Sequence, residues 1–166
     1  ILFGDGAGAV VLKAEEKGRY AQVTQSIGKK GGALTLEAET RSNTKQIPKA
    51  KETYIQMNGK EVFTFAVSKV PEAVKNLLSR EKVPCEDIDI IFFISKRADH
   101  PLSSKANGED ISKFPMNMDE YGNTSSASLL ILLDEVKKSG KLQRGDKLIL
   151  AGFGGGLTYG ASLIEY

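Results

Sequence analysis

Asp119-Glu-Tyr-Gly-Asn-Thr-Ser-Ser-Ala-Ser128 is a polar turn centred on Gly122-Asn123, set between a strand-like run at residues 114–118 and a run at residues 129–136 too apolar to lie in water. The first run predicts a strand and the second a buried helix. The turn then projects side chains from the end of a strand at the mouth of a helix. Asn123 is the residue to weigh, because its carboxamide can cap the helix or donate a hydrogen bond to a carbonyl oxygen that gains charge during a reaction. Spacing alone favours the cap.

Outward from the turn, the helix has its stop signal at Lys138-Ser139-Gly140, with lysines placed to favour its dipole. Residues 146–152 predict a buried strand, and residues 157–166 a last strand after Gly154-Gly155-Gly156. Upstream, residues 88–94 form an almost continuous apolar run, the mark of a strand covered on both faces. Before it, Val62, Phe63, Ala66, Val67, Val70, Val74, Leu77 and Leu78 carry a helical period, which Pro71 interrupts; with Ser68 as a cap the helix would restart there. Tyr54-Ile55-Gln56-Met57 reads as a strand, Asn58-Gly59 as a turn, residues 21–27 and 34–37 as short strands around a glycine loop, and residues 39–52 as polar surface.

Gly4-Asp5-Gly6-Ala7-Gly8-Ala9 superficially resembles a dinucleotide-binding fingerprint, but that motif needs a helix after it. Here Ala9-Val10-Val11-Leu12 follows, which predicts a strand, so the glycines join two strands and cradle no phosphate. Strand, helix, strand, connection, strand, helix, strand, strand is the order of a layered α/β domain with a mixed sheet.

With 166 residues the chain is one domain or half of a larger one, with ample material for a core. Its formal net charge is only +2, and aromatics do not alternate with the lysines, so nucleic acid is not the expected partner. No apolar run has the length of a membrane span and no basic flank precedes Ile1-Leu2-Phe3, so neither anchor nor signal peptide is expected. The opening without methionine, inside a strand-like run, reads as a cut edge. Cys85 is the only cysteine; an internal disulfide is impossible, and a reducing cytoplasm fits. Glu86 and Asp87 beside it disfavour a thiolate. One histidine and no ligand pair at helical spacing predict no metal.

Separate motifs then occur in one order: Leu2-Phe3-Gly4-Asp5-Gly6-Ala7-Gly8-Ala9-Val10-Val11, Met57-Asn58-Gly59-Lys60-Glu61-Val62-Phe63, Tyr121-Gly122-Asn123-Thr124-Ser125-Ser126-Ala127-Ser128 and Gly152-Phe153-Gly154-Gly155-Gly156-Leu157-Thr158-Tyr159-Gly160. Together they resemble the C-terminal half of β-ketoacyl-acyl-carrier-protein synthase III. The resemblance implies a thiolase-like α-β-α-β-α layered fold of which residues 53–166 are the C-terminal half, with residues 1–52 as the end of the N-terminal half and its connecting strands. It implies an acyltransferase of type II fatty-acid synthesis that joins an acyl-CoA primer with malonyl-acyl carrier protein, works as a homodimer in the cytoplasm, and uses no cofactor beyond coenzyme A thioester as substrate.

By the same resemblance, Asn123 donates a hydrogen bond to the malonyl thioester oxygen as carbon dioxide leaves, and Thr124 or Ser125 takes over the cap. Met57, Gly59 and Phe63 lie beside the pantetheine channel, and Phe153, Gly154, Gly155 and Gly156 close the floor of the site. Without the resemblance, Met57 and Phe63 would be core at a helix start and the glycines a tight hairpin.

The chain also departs from the family. The nucleophilic cysteine belongs to the missing N-terminal half and Cys85 does not match it, so the fragment alone is expected to be inactive. The family's catalytic histidine falls at Phe93, in a block at residues 93–101 that departs from the pattern while the register holds on both sides. Loss of the histidine, an altered stretch of coding sequence, or a rearrangement that recruits His100 each accounts for this. His100, before Pro101, otherwise reads as a loop residue. The rival reading is a non-catalytic thiolase-fold partner or acyl-binding subunit.

Overall fold

The computed structural model describes residues 3–13, 16, 18–36, 54–93 and 111–166. His100, the expected polar surface at residues 39–52 and all of the departing block except Phe93 lie outside them. The sheet is built from β1 (Tyr20–Ser26), β4 (Ile90–Phe92), β5 (Lys147–Gly154) and β6 (Thr158–Glu165), and β2 (Leu34–Thr35) pairs with β3 (Gln56–Met57) in a small second sheet. The helices are α1 (Gly59–Glu81), the single turn α2 (Met118–Tyr121) and α3 (Ala127–Lys138).

The main sheet runs β1-β6-β5-β4, with β1–β6 and β5–β6 antiparallel and β4–β5 parallel. A parallel pair needs a crossover, and α3 lies on the one between β4 and β5. Alternation along β4 fixes the layers. Ile91 and Phe93 belong to a core with α1, while Ile90 and Phe92 belong to a second core with Leu132 and Val136 of α3. In β5, Ile149 and Ala151 join the first core and Leu148 the second. This is the two-sided burial that the apolar run predicts. Because β1 is hydrogen-bonded along its length to β6, the sheet draws on both sides of the expected boundary at residues 52 and 53.

Asn58 starts α1, its Oδ1 accepting from the Glu61 N–H at 3.2 Å. At the other end Lys82, with φ of 54°, takes the left-handed position, and its N–H and that of Val83 reach back to Ser79 and Leu78. The expected interruption at Pro71 does not occur. Ser68 caps nothing; its hydroxyl donates back to the carbonyls of Thr64 and Phe65. A proline inside a helix costs about 3 kcal/mol. Burial of Val70, Val74 and Leu77, at about 1.5–3 kcal/mol each, outweighs it. The buried stripe also takes Phe65 in place of Phe63, whose residue stays 51% exposed.

Two expected strands are absent. Over residues 114–118, Pro115 has no N–H to give a ladder, and the Asn117 carbonyl instead accepts from Glu120 and Tyr121, which starts α2. Over residues 9–12 the β-branched run meets no partner strand among the described residues, and Val11 is 100% exposed. The expected strands at residues 34–37 and 54–57 shorten to β2 and β3, and the glycine loop between β1 and β2 winds into a 3-10 helix, Gly28–Ala33.

Two outcomes check this packing. Leu77→Ala, at a fully buried position, should lower stability to denaturant by about 2–5 kcal/mol, against within about 0.5 kcal/mol for exposed Phe63→Ala; equal losses would contradict the assigned helix face. The consecutive exposed residues Val10, Val11 and Leu12 are the kind of apolar surface that drives association. Light scattering on the isolated chain should therefore find self-association that grows with concentration, and a strictly monomeric chain would contradict it.

Candidate functional site

The turn after α2 is held from several sides. Asn117 donates from Nδ2 to Glu135 Oε2 at 2.5 Å, so a carboxylate on α3 ties the start of α2. The Glu135 carboxylate, with the negative field of Glu120, holds the Tyr121 phenol above its ordinary pKa. Gly122 follows with φ of 69°, a conformation suited to glycine.

Asn123 is half-buried, and its Oδ1 accepts from the Ser125 N–H at 2.9 Å. That contact identifies the oxygen end of the carboxamide, because only the oxygen can accept from an N–H. The amino end, Nδ2, is left as a donor with no hydrogen bond to any described residue. Ser125 completes the turn with φ of 58°, a left-handed conformation costing about 1–3 kcal/mol for a residue other than glycine. The expected cap by Thr124 or Ser125 is not made. Ser126 stands at the cap position of α3 without a side-chain bond, while Thr124 donates its N–H to Ser128 Oγ at 2.9 Å and shares a 2.8 Å hydroxyl contact with it. Both are buried.

Phe153 and Gly154, with the turn at Gly155 and Gly156 that follows, lie at the carboxyl end of β5, where open α/β sheets place their ligand sites. The Phe153 ring lies 6.1 Å from Phe93 and 6.3 Å from Phe65, and Phe65 meets Tyr159 edge-on at 5.5 Å. Phe93 is buried, whereas Phe153 is 37% exposed. The glycine turn beyond Phe153 approaches the 3-10 helix: a Cβ on Gly31 would lie 3.4 Å from the Gly156 carbonyl oxygen, and one on Gly155 would lie 3.8 Å from that of Leu34. Leu34 in turn pairs with Met57, and Asn58 donates its N–H to Ala33. Met57, Gly59 and the turn at Gly154, Gly155 and Gly156 are thus linked through residues 31–34. None of the hydrogen bonds of Asn123 reaches this group or Phe63.

An open cavity of about 240 Å³ lies at the start of α1, lined by Lys30, Asn58, Lys60, Glu61 and Thr64, with Lys30 paired to Glu61 at 3.2 Å. Sequence reading does not find this rim, because Lys30 and Glu61 meet only through the fold; the sole local signal is the Asn-Gly pair that starts the helix. Cys85 opens a 3-10 turn and packs against the α1 core, half-buried. Among the described residues, no group of three or more His, Cys, Asp and Glu could hold a metal ion.

Residues 78–166, more than half of the chain, match the family model described as 3-Oxoacyl-[acyl-carrier-protein (ACP)] synthase III C terminal. The chain belongs to this family. The similarity to synthase III proteins extends beyond the matched segment. Beta-ketoacyl-[acyl-carrier-protein] synthase III of Clostridium botulinum (strain Loch Maree / Type A3) is 43% identical over 173 residues, covering 100% of the chain and 52% of that protein. The Clostridium kluyveri protein of the same name is 42% identical over 169 residues, covering 99% of the chain and 52% of its own length.

Among solved structures, 3-oxoacyl-[acyl-carrier-protein] synthase III from Aquifex aeolicus VF5 superposes with a TM-score of 0.77 at 29% identity, over 93% of this chain and 46% of that one. The Thermus thermophilus enzyme gives 0.77 at 26%, over 93% and 48%. The fold is accordingly the C-terminal half of the thiolase-like layered α/β architecture. The chain spans about half the length of the curated relatives it matches.

The charge of Glu135 near Tyr121 sets a pH dependence. A raised tyrosine pKa means that the neutral phenol favours the fold below the ordinary value near 10 and that this contribution is lost as pH rises through the raised value. Glu135→Gln should return the Tyr121 titration, followed by NMR of its ring, toward the ordinary range. An unchanged midpoint would remove Glu135 as the cause.

Proposed function

We propose that this chain is the C-terminal half of a condensing enzyme that initiates type II fatty-acid synthesis, joining an acyl-CoA primer to malonyl-acyl carrier protein with release of carbon dioxide. The observation that supports it most is the set of the Asn123 carboxamide, with its oxygen tied to the Ser125 N–H and its Nδ2 left to donate. When malonyl thioester loses carbon dioxide, the electron pair of the broken bond moves into the thioester carbonyl and its oxygen becomes an enolate oxygen. A fixed N–H donor stabilises that charge without reorganising. The enolate carbon then attacks the primer acyl group held on a cysteine of the complementary N-terminal half, and the cysteine leaves as thiolate.

In this reading, Met57, Gly59 and Phe63 flank the pantetheine arm, and Phe153 with Gly154, Gly155 and Gly156 forms the floor. The isolated chain carries no acyl group, because Cys85 is packed against the α1 core and not presented at the site. The proposal includes acyl carrier protein and acyl-CoA as partners, a homodimer of the complete protein, a cytoplasmic location, and no metal, cofactor, nucleic acid or membrane partner. No described helix is long and apolar enough to cross a membrane.

One observation favours a second reading, a non-catalytic thiolase-fold partner or acyl-binding subunit. Residue 93 is a phenylalanine packed on Phe153, so its side chain gives the thioester oxygen no hydrogen bond. Steady-state assays of the complete protein separate the two. Condensation with Asn123→Ala should fall about 10²–10³-fold, the loss that removal of one oxyanion donor produces. Condensation equal to that of the unmodified protein would contradict the role of Asn123, and acyl-CoA binding without any carbon dioxide release by the unmodified protein would favour the second reading.

A further inference from the structure

The segment Phe3-Gly4-Asp5-Gly6-Ala7-Gly8 lies across the Asn123 turn and the first part of α3. The Gly4 N–H donates to the Asn123 backbone carbonyl at 2.8 Å. A Cβ on Gly4 would stand 3.1 Å from the Tyr121 carbonyl oxygen. One on Gly6 would stand 2.9 Å from Thr124 Cγ2, 3.0 Å from Thr124 Cβ and 3.1 Å from Ile131 Cδ1, and one on Gly8 only 2.5 Å from Leu130 Cβ. Glycines spaced by two put one face of an extended chain against its neighbour. Here that face meets Tyr121 and Thr124 first, then Ile131, and last Leu130.

We propose that Gly4, Gly6 and Gly8 form a positioning strap, in which the absence of side chains lets the backbone approach closely enough to fix Asn123 for the proposed condensation. The inference rests on the reading of Asn123 given above. Asn123 is held at its backbone carbonyl by Gly4, at its side-chain oxygen by Ser125, and from the following residue by the Thr124 contacts to Ser128. Only the first of these comes from outside the turn and helix. Ser125 sits in a conformation that relaxes unless its surroundings impose it, and the strap is packed against the residue before it. A methyl group on Gly6 pushes on Thr124, either lifting the strap off the Asn123 carbonyl or driving Thr124 and the carboxamide away. A displacement on the order of 1 Å at a reacting group costs about 10²-fold in rate. Gly6 therefore acts through Asn123 and touches no substrate.

The test uses the complete protein, with kcat expressed per acylatable cysteine so that partly folded preparations do not lower it. Gly6→Ala should reduce the kcat of condensation about 10- to 100-fold, with KM and the rate of cysteine acylation within about 2-fold of the parent. Adding Thr124→Ser, which deletes Cγ2 and keeps the hydroxyl, should recover a large part of the loss. In the Asn123→Ala background, Gly6→Ala should cost less than about 2-fold, because both changes remove the same donor.

A Gly6→Ala enzyme with unchanged kcat would overturn the strap. So would a loss of equal size in the Asn123→Ala background, or an absence of acylatable sites that Thr124→Ser does not repair, which would make the segment a folding element. If Asn123→Ala alone leaves condensation unchanged, the reading of Asn123 itself fails and the strap with it.

Discussion

The two-sided burial of β4 is the constraint on which the rest of the structure depends. Ile91 and Phe93 face α1 while Ile90 and Phe92 face α3, and a one-residue slip would exchange the two sets. With that register fixed against β5, the carboxyl ends of both strands come to one edge, and Phe93 meets Phe153 there. The same register carries α3 over the second face. The turn that precedes α3 is thereby anchored to the sheet by Leu132 and Val136.

From this frame the candidate site takes two forms of support. The aromatic cluster is a matter of packing: Phe65, Phe93, Phe153 and Tyr159 meet from α1, the end of β4, β5 and β6, and the buried Tyr159 hydroxyl is satisfied by Gln25 of β1. The Asn123 turn is a matter of hydrogen bonds and close approach. Its positive φ angles, its side-chain tie to Ser125 and the strap over Thr124 fix one carboxamide at the cost of local strain. Such a turn suits a group that must not reorganise as charge develops, and the cavity at the start of α1 lies apart from it, lined by lysines and polar side chains.

Much of the fold is legible in the sequence where one physical signal acts alone. The unbroken apolar run of β4, the strands β5 and β6, and the stop of α3 at Lys138-Ser139-Gly140 need only hydrophobicity and turn chemistry. Reading failed where tertiary packing overrode local preference. Pro71 breaks helices in isolation, but the stripe from Val62 to Leu78 holds α1 through it. Residues 9–12 have strand propensity without a ladder partner, and Pro115 denies one to residues 114–118. The site was less legible. Spacing favoured Asn123 as a cap, and only the company of the other motifs gave it a donor's role. No local pattern announces that Gly6 lies on Thr124 or that Lys30 meets Glu61, because such pairs are distant in the chain.

The most direct measurement of the central claim is a crystal structure of the complete protein with a stable malonyl-thioester analogue in the site. The account predicts Asn123 Nδ2 about 2.7–3.1 Å from the thioester carbonyl oxygen, with Oδ1 still accepting from the Ser125 N–H. A carboxamide turned away from the thioester, or a separation beyond about 3.5 Å, would contradict it.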